Sequence, residues 1–89
     1  MTGIAYKTDI LTLEAAKSLQ KTAGLGNPPI AEKQFWYTSS GKLVIVVTVG
    51  GETPHSAILC CEFDRAIVLP YQRQEFDRWT YAPQILTKL

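Results

Sequence analysis

The amino-acid sequence predicts an α+β fold with an N-terminal helix, a three- to four-stranded antiparallel meander sheet and a C-terminal helix, in an α-β-β-β-α order. Three observations predict it: a β-branched run in mid-chain, turn sequences that separate this run from further apolar segments, and helical spacing near both ends. With 89 residues, the chain has the length of one domain, residues 1–89, with room for a single hydrophobic core.

The segment Lys42–Val49, which lies between Gly41 and the Gly50-Gly51 pair, is the centre of the predicted sheet. Its β-branched residues favour a strand, because they lose side-chain freedom in a helix and pack well on a pleated surface. From Leu43 to Val49 only Thr48 is polar, whereas a strand with one solvent-facing side would alternate. We therefore expect both faces of this strand to be covered.

Neighbouring segments complete the meander. Gln34–Thr38 precedes the central strand across a Ser-Ser-Gly turn, and His55–Phe63 follows it across a second turn region. Ala66–Leu69 is either a short fourth strand or the lead into the next element. At the N-terminus, Gly3–Lys7 is compatible with a short edge strand and equally with an extended arm.

Two helices are predicted. Thr12 has the residue type of an N-cap, apolar residues recur at helical spacing over Leu13–Ala23, and Gly24 is suited to end the helix in the left-handed conformation. The aromatic residues of Gln72–Thr80 fall on one helical stripe, which predicts the C-terminal helix. The tail Gln84–Leu89 would add at most one more helical turn.

Composition narrows the function classes. Nine Lys and Arg against eight Asp and Glu give a formal charge of +1, so the positive surplus typical of a duplex-binding protein is missing. The longest apolar run is far shorter than the roughly 20 residues of a membrane helix, and the N-terminus does not resemble a signal peptide. We expect a cytoplasmic protein that does not enter a membrane.

Catalytic and metal-binding patterns are sparse. His55 is the only histidine, and Cys60 lies five residues further along the same predicted strand, roughly 16 Å away. Cys60 and Cys61 are adjacent, so they point to opposite faces and neither bond each other nor supply zinc-ligand spacing. We expect no catalytic residue, no metal and no cofactor, and a small enzyme centred on His55 or Cys61 is the third-ranked hypothesis.

Two aromatic clusters are candidates for partner contact, because Trp, Tyr and Arg are over-represented at binding hot spots. In Phe35-Trp36-Tyr37, strand alternation sends Trp36 to one face and its neighbours to the other. Trp36 then either meets a partner or packs under the Pro28-Pro29 loop or a helix. The second cluster contributes the remaining candidates. The predicted partner-binding residues are Trp36, Tyr71, Arg73, Arg78 and Tyr81.

The leading hypothesis is a non-enzymatic protein–protein interaction module, a regulator or inhibitor that docks a rigid aromatic and arginine surface on a larger protein, as a homodimer. It follows from the doubly apolar central strand, whose second face would need a cover. The alternative is a single-stranded nucleic-acid-binding domain that stacks bases on aromatic rings. That alternative needs a basic surface, for which the candidates are Lys33, Lys42, Arg65, Arg73 and Arg78.

Overall fold

A computed structural model of the protein describes residues 6–24 and 26–88. The elements are, in chain order, β1 (Tyr6–Ile10), α1 (Leu13–Ala23), β2 (Phe35–Tyr37), β3 (Leu43–Val49), β4 (Ala57–Glu62), β5 (Ile67–Gln72), a 3₁₀ helix (Arg73–Arg78), β6 (Thr80–Ala82) and β7 (Gln84–Lys88). An antiparallel five-stranded sheet has the order β5-β4-β3-β2-β6, and β1 pairs with β7 in a separate two-stranded ribbon. The predicted α+β class with an antiparallel sheet is confirmed.

Helix α1 has the predicted limits, Leu13–Ala23. The Thr12 Oγ1 accepts a hydrogen bond from the Ala15 N–H at 3.2 Å, which satisfies one of the free donors of the first turn. Gly24 ends the helix with φ of 65°, a conformation that costs glycine no side-chain clash. The helix packs on β6 through Ala16, which is buried.

The three predicted meander strands correspond to β2, β3 and β4, and the uncertain fourth segment is a strand as well. This strand, β5, is longer than Ala66–Leu69 and continues through Pro70 to Gln72. In β3 the register shifts between Val46 and Thr48, so that an extra residue, Val47, is inserted against β4.

The predicted C-terminal helix over Gln72–Thr80 is wrong. The chain forms a six-residue 3₁₀ helix, Arg73–Arg78, and Trp79 already has extended backbone angles. Thr80–Ala82 then pairs with β2 as β6, so hydrogen bonding to a distant strand outweighs the local helical spacing. No α-helix occupies the C-terminal part of the described chain.

Both terminal segments form strands in the ribbon. Strand β1 is Tyr6–Ile10 and pairs with β7 instead of forming an edge of the main sheet, while residues 3–5 of the predicted strand lie outside the described residues. The tail predicted as a helical turn is β7, Gln84–Lys88. Among the described residues, no helix is long and apolar enough to cross a membrane.

The hydrophobic core lies on one face of the five-stranded sheet, which we call the core face. It is built from side chains of three strands and from two aromatic residues of the segment after β5: Trp36, Val44, Val46, Ile58, Cys60, Phe76 and Trp79. The Trp36 ring meets Phe76 edge to face with centroids 5.1 Å apart, and Phe76 lies 4.2 Å from Trp79. The 3₁₀ segment therefore covers this face in place of the predicted helix.

The prediction that the central strand is covered on both faces is wrong. On the core face of β3, Val44 and Val46 are at most 1% exposed, but on the other face Val47 is 42% exposed. Ile45 is only half-buried, and Thr48 is exposed. The reason is that α1 contacts the sheet at β6, at one edge, and leaves the strands beyond it without a helix.

Candidate interaction surface

The sheet face opposite the core carries a continuous set of apolar side chains. One row crosses four strands, because Phe35 pairs with Ile45, Ile45 with Cys61, and Cys61 with Val68. Further apolar side chains flank this row on both sides. We call the whole set the open face: Phe35, Ile45, Val47, Leu59, Cys61, Phe63 and Val68.

Exposure along the open face increases from β6 towards β5. Ala82, which pairs with Phe35 and belongs to the strand that α1 contacts, is 1% exposed. Phe35, Ile45 and Cys61 are half-buried, and Val68 at the far end is 52% exposed. The apolar row thus runs from the strand next to the helix out into solvent, which is typical of a contact surface.

An aromatic pair lies at the β2 end of the row. The rings of Phe35 and Phe63 stack with centroids 5.7 Å apart and planes inclined by 15°. Phe63 is nevertheless 47% exposed, so the pair still presents a broad flat surface to solvent. Because the rings brace each other, a partner would order few additional side-chain rotamers on binding them.

The edge at β5 is closed to further strand pairing. The Arg73 N–H donates to the Ser56 carbonyl at 3.0 Å. Because successive backbone N–H groups of a strand point to opposite sides, the backbone nitrogens of Pro70 and Gln72 point away from β4. Pro70 has no N–H, and the Gln72 N–H donates to the Glu75 Oε2 at 2.7 Å. Two positions of the outer edge therefore offer no free donor to another strand.

The opposite edge, at β6, is closed by one asparagine side chain. The Asn27 Oδ1 accepts from the Tyr81 N–H at 3.3 Å, and its Nδ2 donates to the Trp79 carbonyl at 3.0 Å. The amide thus imitates a neighbouring strand over one residue spacing. With both edges blunted, the open face is the part of the sheet that remains available.

A buried carboxylate lies on the core face at the end of β4. Glu62 is 2% exposed and accepts two hydrogen bonds from the Arg65 guanidinium, at 3.0 and 2.8 Å, and one from the Lys42 Nζ at 3.3 Å. The hydrogen bonds from Arg65 lower the pKa of Glu62 to about 2, with Lys42 contributing in the same direction. These two cations are therefore engaged within the protein.

The predicted partner-binding residues are distributed between the core and its rim. Trp36 is 1% exposed and lies in the hydrophobic core of the chain. The half-buried Tyr81 and Tyr71 rings pack edge to face on Trp36 and Trp79, at 5.4 and 4.8 Å.

The two arginines of the predicted set differ from each other. Arg73 is half-buried, and its Nε donates to the Gly51 carbonyl at 2.8 Å, so it fixes the loop between β3 and β4. Arg78 is exposed. None of the five predicted residues belongs to the open face, and the sequence analysis proposed none of its members for partner contact.

The groups considered for catalysis differ in their exposure to solvent. His55 is exposed, and its Nδ1 lies 3.5 Å from the Gln74 Nε2. Burial raises the pKa of the Cys60 thiol to about 12, and Cys61 lies on the opposite face of β4. Within residues 6–24 and 26–88, no three His, Cys, Asp or Glu side chains are grouped so that they could hold a metal ion.

The comparisons with known proteins leave the function to be argued from these residues. No protein-family model, no curated protein and no solved structure matches the chain. The open face is the feature of the described chain that most clearly requires a functional explanation, because exposed contiguous apolar surface is costly in water.

Proposed function

We propose that the protein is a non-enzymatic interaction module that regulates or inhibits by docking its open face on a protein surface. The observation that carries the proposal is the row Phe35, Ile45, Cys61 and Val68, which crosses four strands and ends at a side chain that is 52% exposed. The docking surface therefore differs from the aromatic and arginine surface expected from the sequence. A protein partner is favoured because its apolar residues can replace water along the whole row.

The mechanism would be occlusion of the partner by a flat, preorganised surface. The backbone under the open face is fixed by antiparallel pairing of β2 to β5, so binding would restrict few backbone dihedrals. The most exposed apolar groups of the open face, Val68 and Phe63, would be the first to lose water on contact. An interaction of this kind needs no catalytic group on either protein.

The nucleic-acid alternative has less support. The Trp36 ring is buried, and Phe63, the exposed ring of the open face, lies between the acidic residues Glu62 and Asp64 in the sequence. Two of the candidate cations, Lys42 and Arg65, bind Glu62 instead of forming a free basic surface. Retention on a polyanion that falls steeply with salt would revive this alternative.

A pair of lysine substitutions in neighbouring residues of β5 tests the proposal. Val68→Lys places a charge on the open face, whereas Ile67→Lys places the same charge on the other side of the strand, where Ile67 is 37% exposed. The wild type and the two variants are each immobilised and incubated with host extract that also contains added untagged copies of the chain. The immobilised wild type and Ile67→Lys should retain a protein that immobilised Val68→Lys does not retain. Equal retention by all three proteins would rule out the open face as the docking surface.

A further inference from the structure

We infer that the open face binds the open face of a second copy of this chain, so that two sheets pack face to face around a two-fold axis. The inference rests on the proposed function and identifies the partner for the same surface. In a two-fold interface each side chain meets the same set of side chains from the other copy, so the surface must be complementary to itself. The following features meet this requirement.

The first feature is the absence of charge from the set. All seven side chains of the open face are uncharged, so bringing two copies together opposes apolar groups to apolar groups and creates no like-charge contact. The net charge of the chain, +1, also leaves little long-range repulsion between copies. A partner recognised by charge complementarity would find nothing to pair with on this surface.

The second feature is size. Strands β3 to β5 are six or seven residues long, and with the three-residue β2 at a spacing of about 4.8 Å they give an area of about 20 by 20 Å. Two copies would therefore bury about 800 Å² in total, which is in the size range of weak, transient interfaces. We expect a reversible dimer with a dissociation constant in the micromolar range rather than an obligate one.

The third feature is the state of the sheet edges. Pro70 and Glu75 close the edge at β5, and Asn27 closes the edge at β6, so two copies cannot readily continue one sheet through their edges. Face-to-face packing, in which two sheets lie about 10 Å apart, is the remaining way to join the sheets.

The geometry gives this dimer a chemical marker. Cys61 lies near the middle of the central row, between Ile45 and Val68. If the two-fold axis passes through the middle of the row, the backbones at the two Cys61 positions lie about 11 Å apart, with both thiols facing the interface. Cys60 is buried on the core face with a raised pKa, so Cys61 is the thiol available to a reagent.

Sedimentation velocity of the purified chain, from low micromolar to near-millimolar concentration, tests the inference. The weight-average mass of the wild type should rise from 9.9 kDa towards twice that value, and Ile67→Lys should behave in the same way. Val68→Lys should raise the dissociation constant about tenfold or more, because the lysine would lose water against apolar groups. Val68→Thr, a milder change of similar shape, replaces it if the circular dichroism spectrum shows that Val68→Lys does not fold.

Alkylation with a maleimide locates the interface. The interface covers Cys61, so this thiol should be alkylated more slowly at concentrations where the wild type is dimeric than at concentrations where the chain is monomeric. Cys60→Ser should keep this protection, and Cys61→Ser should remove the alkylated product. A dimer that leaves the alkylation rate of Cys61 unchanged, or whose mass is unchanged by Val68→Lys, forms through another surface and overturns the inference. The wild type could instead stay monomeric and yet retain a host protein that Val68→Lys does not retain. That result would overturn the dimer and would leave the proposed function in place.

Discussion

Glu62 shows how one charged residue can be buried in a domain of this size. Its carboxylate is 2% exposed and is held by Arg65 and Lys42, whose own side chains remain about half in solvent. The carboxylate is thus removed from water while the cations keep much of their hydration, which limits the desolvation cost of the cluster. The cluster joins the turn before β3 to the end of β4.

The pKa of Glu62 leads to a prediction for acid stability. Because the folded state lowers this pKa from 4.5 to about 2, the ion pair stabilises the fold fully above 4.5 and is lost as the pH falls from 4.5 towards 2. Urea unfolding at a series of pH values should show that the free energy of unfolding falls less over this range in Glu62→Gln than in the wild type. The variant should also be less stable than the wild type near neutral pH. Asp64→Asn, at an exposed carboxylate two residues away, is the matched control and should follow the wild type. Identical pH profiles for Glu62→Gln and the wild type would contradict the assignment.

Gln34 is a second residue with a disproportionate role, because its one side chain fixes a loop and a core tryptophan together. Its Oε1 accepts from the Trp36 Nε1 at 3.0 Å and from the Ala31 N–H at 2.9 Å, and its Nε2 donates to the Pro29 carbonyl at 2.9 Å. Gln34→Ala should lower the free energy of unfolding by about 1–3 kcal/mol, since it leaves the indole N–H without this acceptor. Gln34→Glu keeps the acceptor oxygens and should be affected less in chemical denaturation. If Gln34→Glu loses as much free energy of unfolding as Gln34→Ala, the stabilisation comes from the hydrogen bond to the Pro29 carbonyl and not from the bond to Trp36.

At the scale of elements, the connection between β3 and β4 depends on a close backbone approach. A Cβ on Gly50 would lie 2.5 Å from the Ala57 carbonyl oxygen, which accepts the Gly50 N–H at 2.9 Å. Gly50→Ala must therefore shift the strand ends and should cost about 1–3 kcal/mol of stability. Gly26→Ala, where a Cβ meets nothing within 4 Å, is the control and should change stability by less than about 1 kcal/mol. Thermal denaturation distinguishes the two, and equal midpoints would mean that the β3–β4 loop yields without strain.

The elements that sequence patterns predicted correctly are those with local signals. Helix α1 is fixed by a cap at Thr12, an apolar stripe and a stop at Gly24, all within one short segment. The prediction for the C-terminal part is wrong because the interaction that decides its structure involves a segment distant in sequence. Thr80–Ala82 becomes a strand by pairing with Phe35–Tyr37, more than forty residues earlier. Spacing within the segment contains no information about that pairing.

The open face was missed for a related reason. Strand alternation correctly separated Trp36 from its neighbours in the sequence Phe35-Trp36-Tyr37, but it could not say which face would hold the core. Residue-type preferences at interfaces favoured the tryptophan, whereas the ring on the open face is Phe35, braced by the distant Phe63. The coverage of each face is decided by where α1 and the 3₁₀ helix pack, which strand periodicity does not encode.

The whole molecule is too thin to cover both sides of its sheet. Its principal extents are 50 × 30 × 23 Å, and packed layers lie about 10 Å apart, so the smallest dimension admits about two layers. The sheet and the segment over its core face form those two layers, and the 11-residue helix α1 adds cover only near β6. An uncovered apolar area is thus a consequence of the distribution of elements, and a second sheet laid on it would complete a sandwich.

This view of the whole molecule predicts that stability depends on protein concentration. A dimer forms only from folded chains, so raising the total concentration above the dissociation constant should raise the melting temperature of the wild type. Val68→Lys should lose this dependence and converge with the wild type at high dilution, because the Val68 side chain is already 52% exposed in the single chain. Ile67→Lys should keep the dependence, even if its own melting temperature is shifted. Scanning calorimetry across a wide concentration range measures these slopes. A wild-type midpoint that does not move with concentration would show that the isolated chain tolerates its open face in water and that the surface is kept for a different protein.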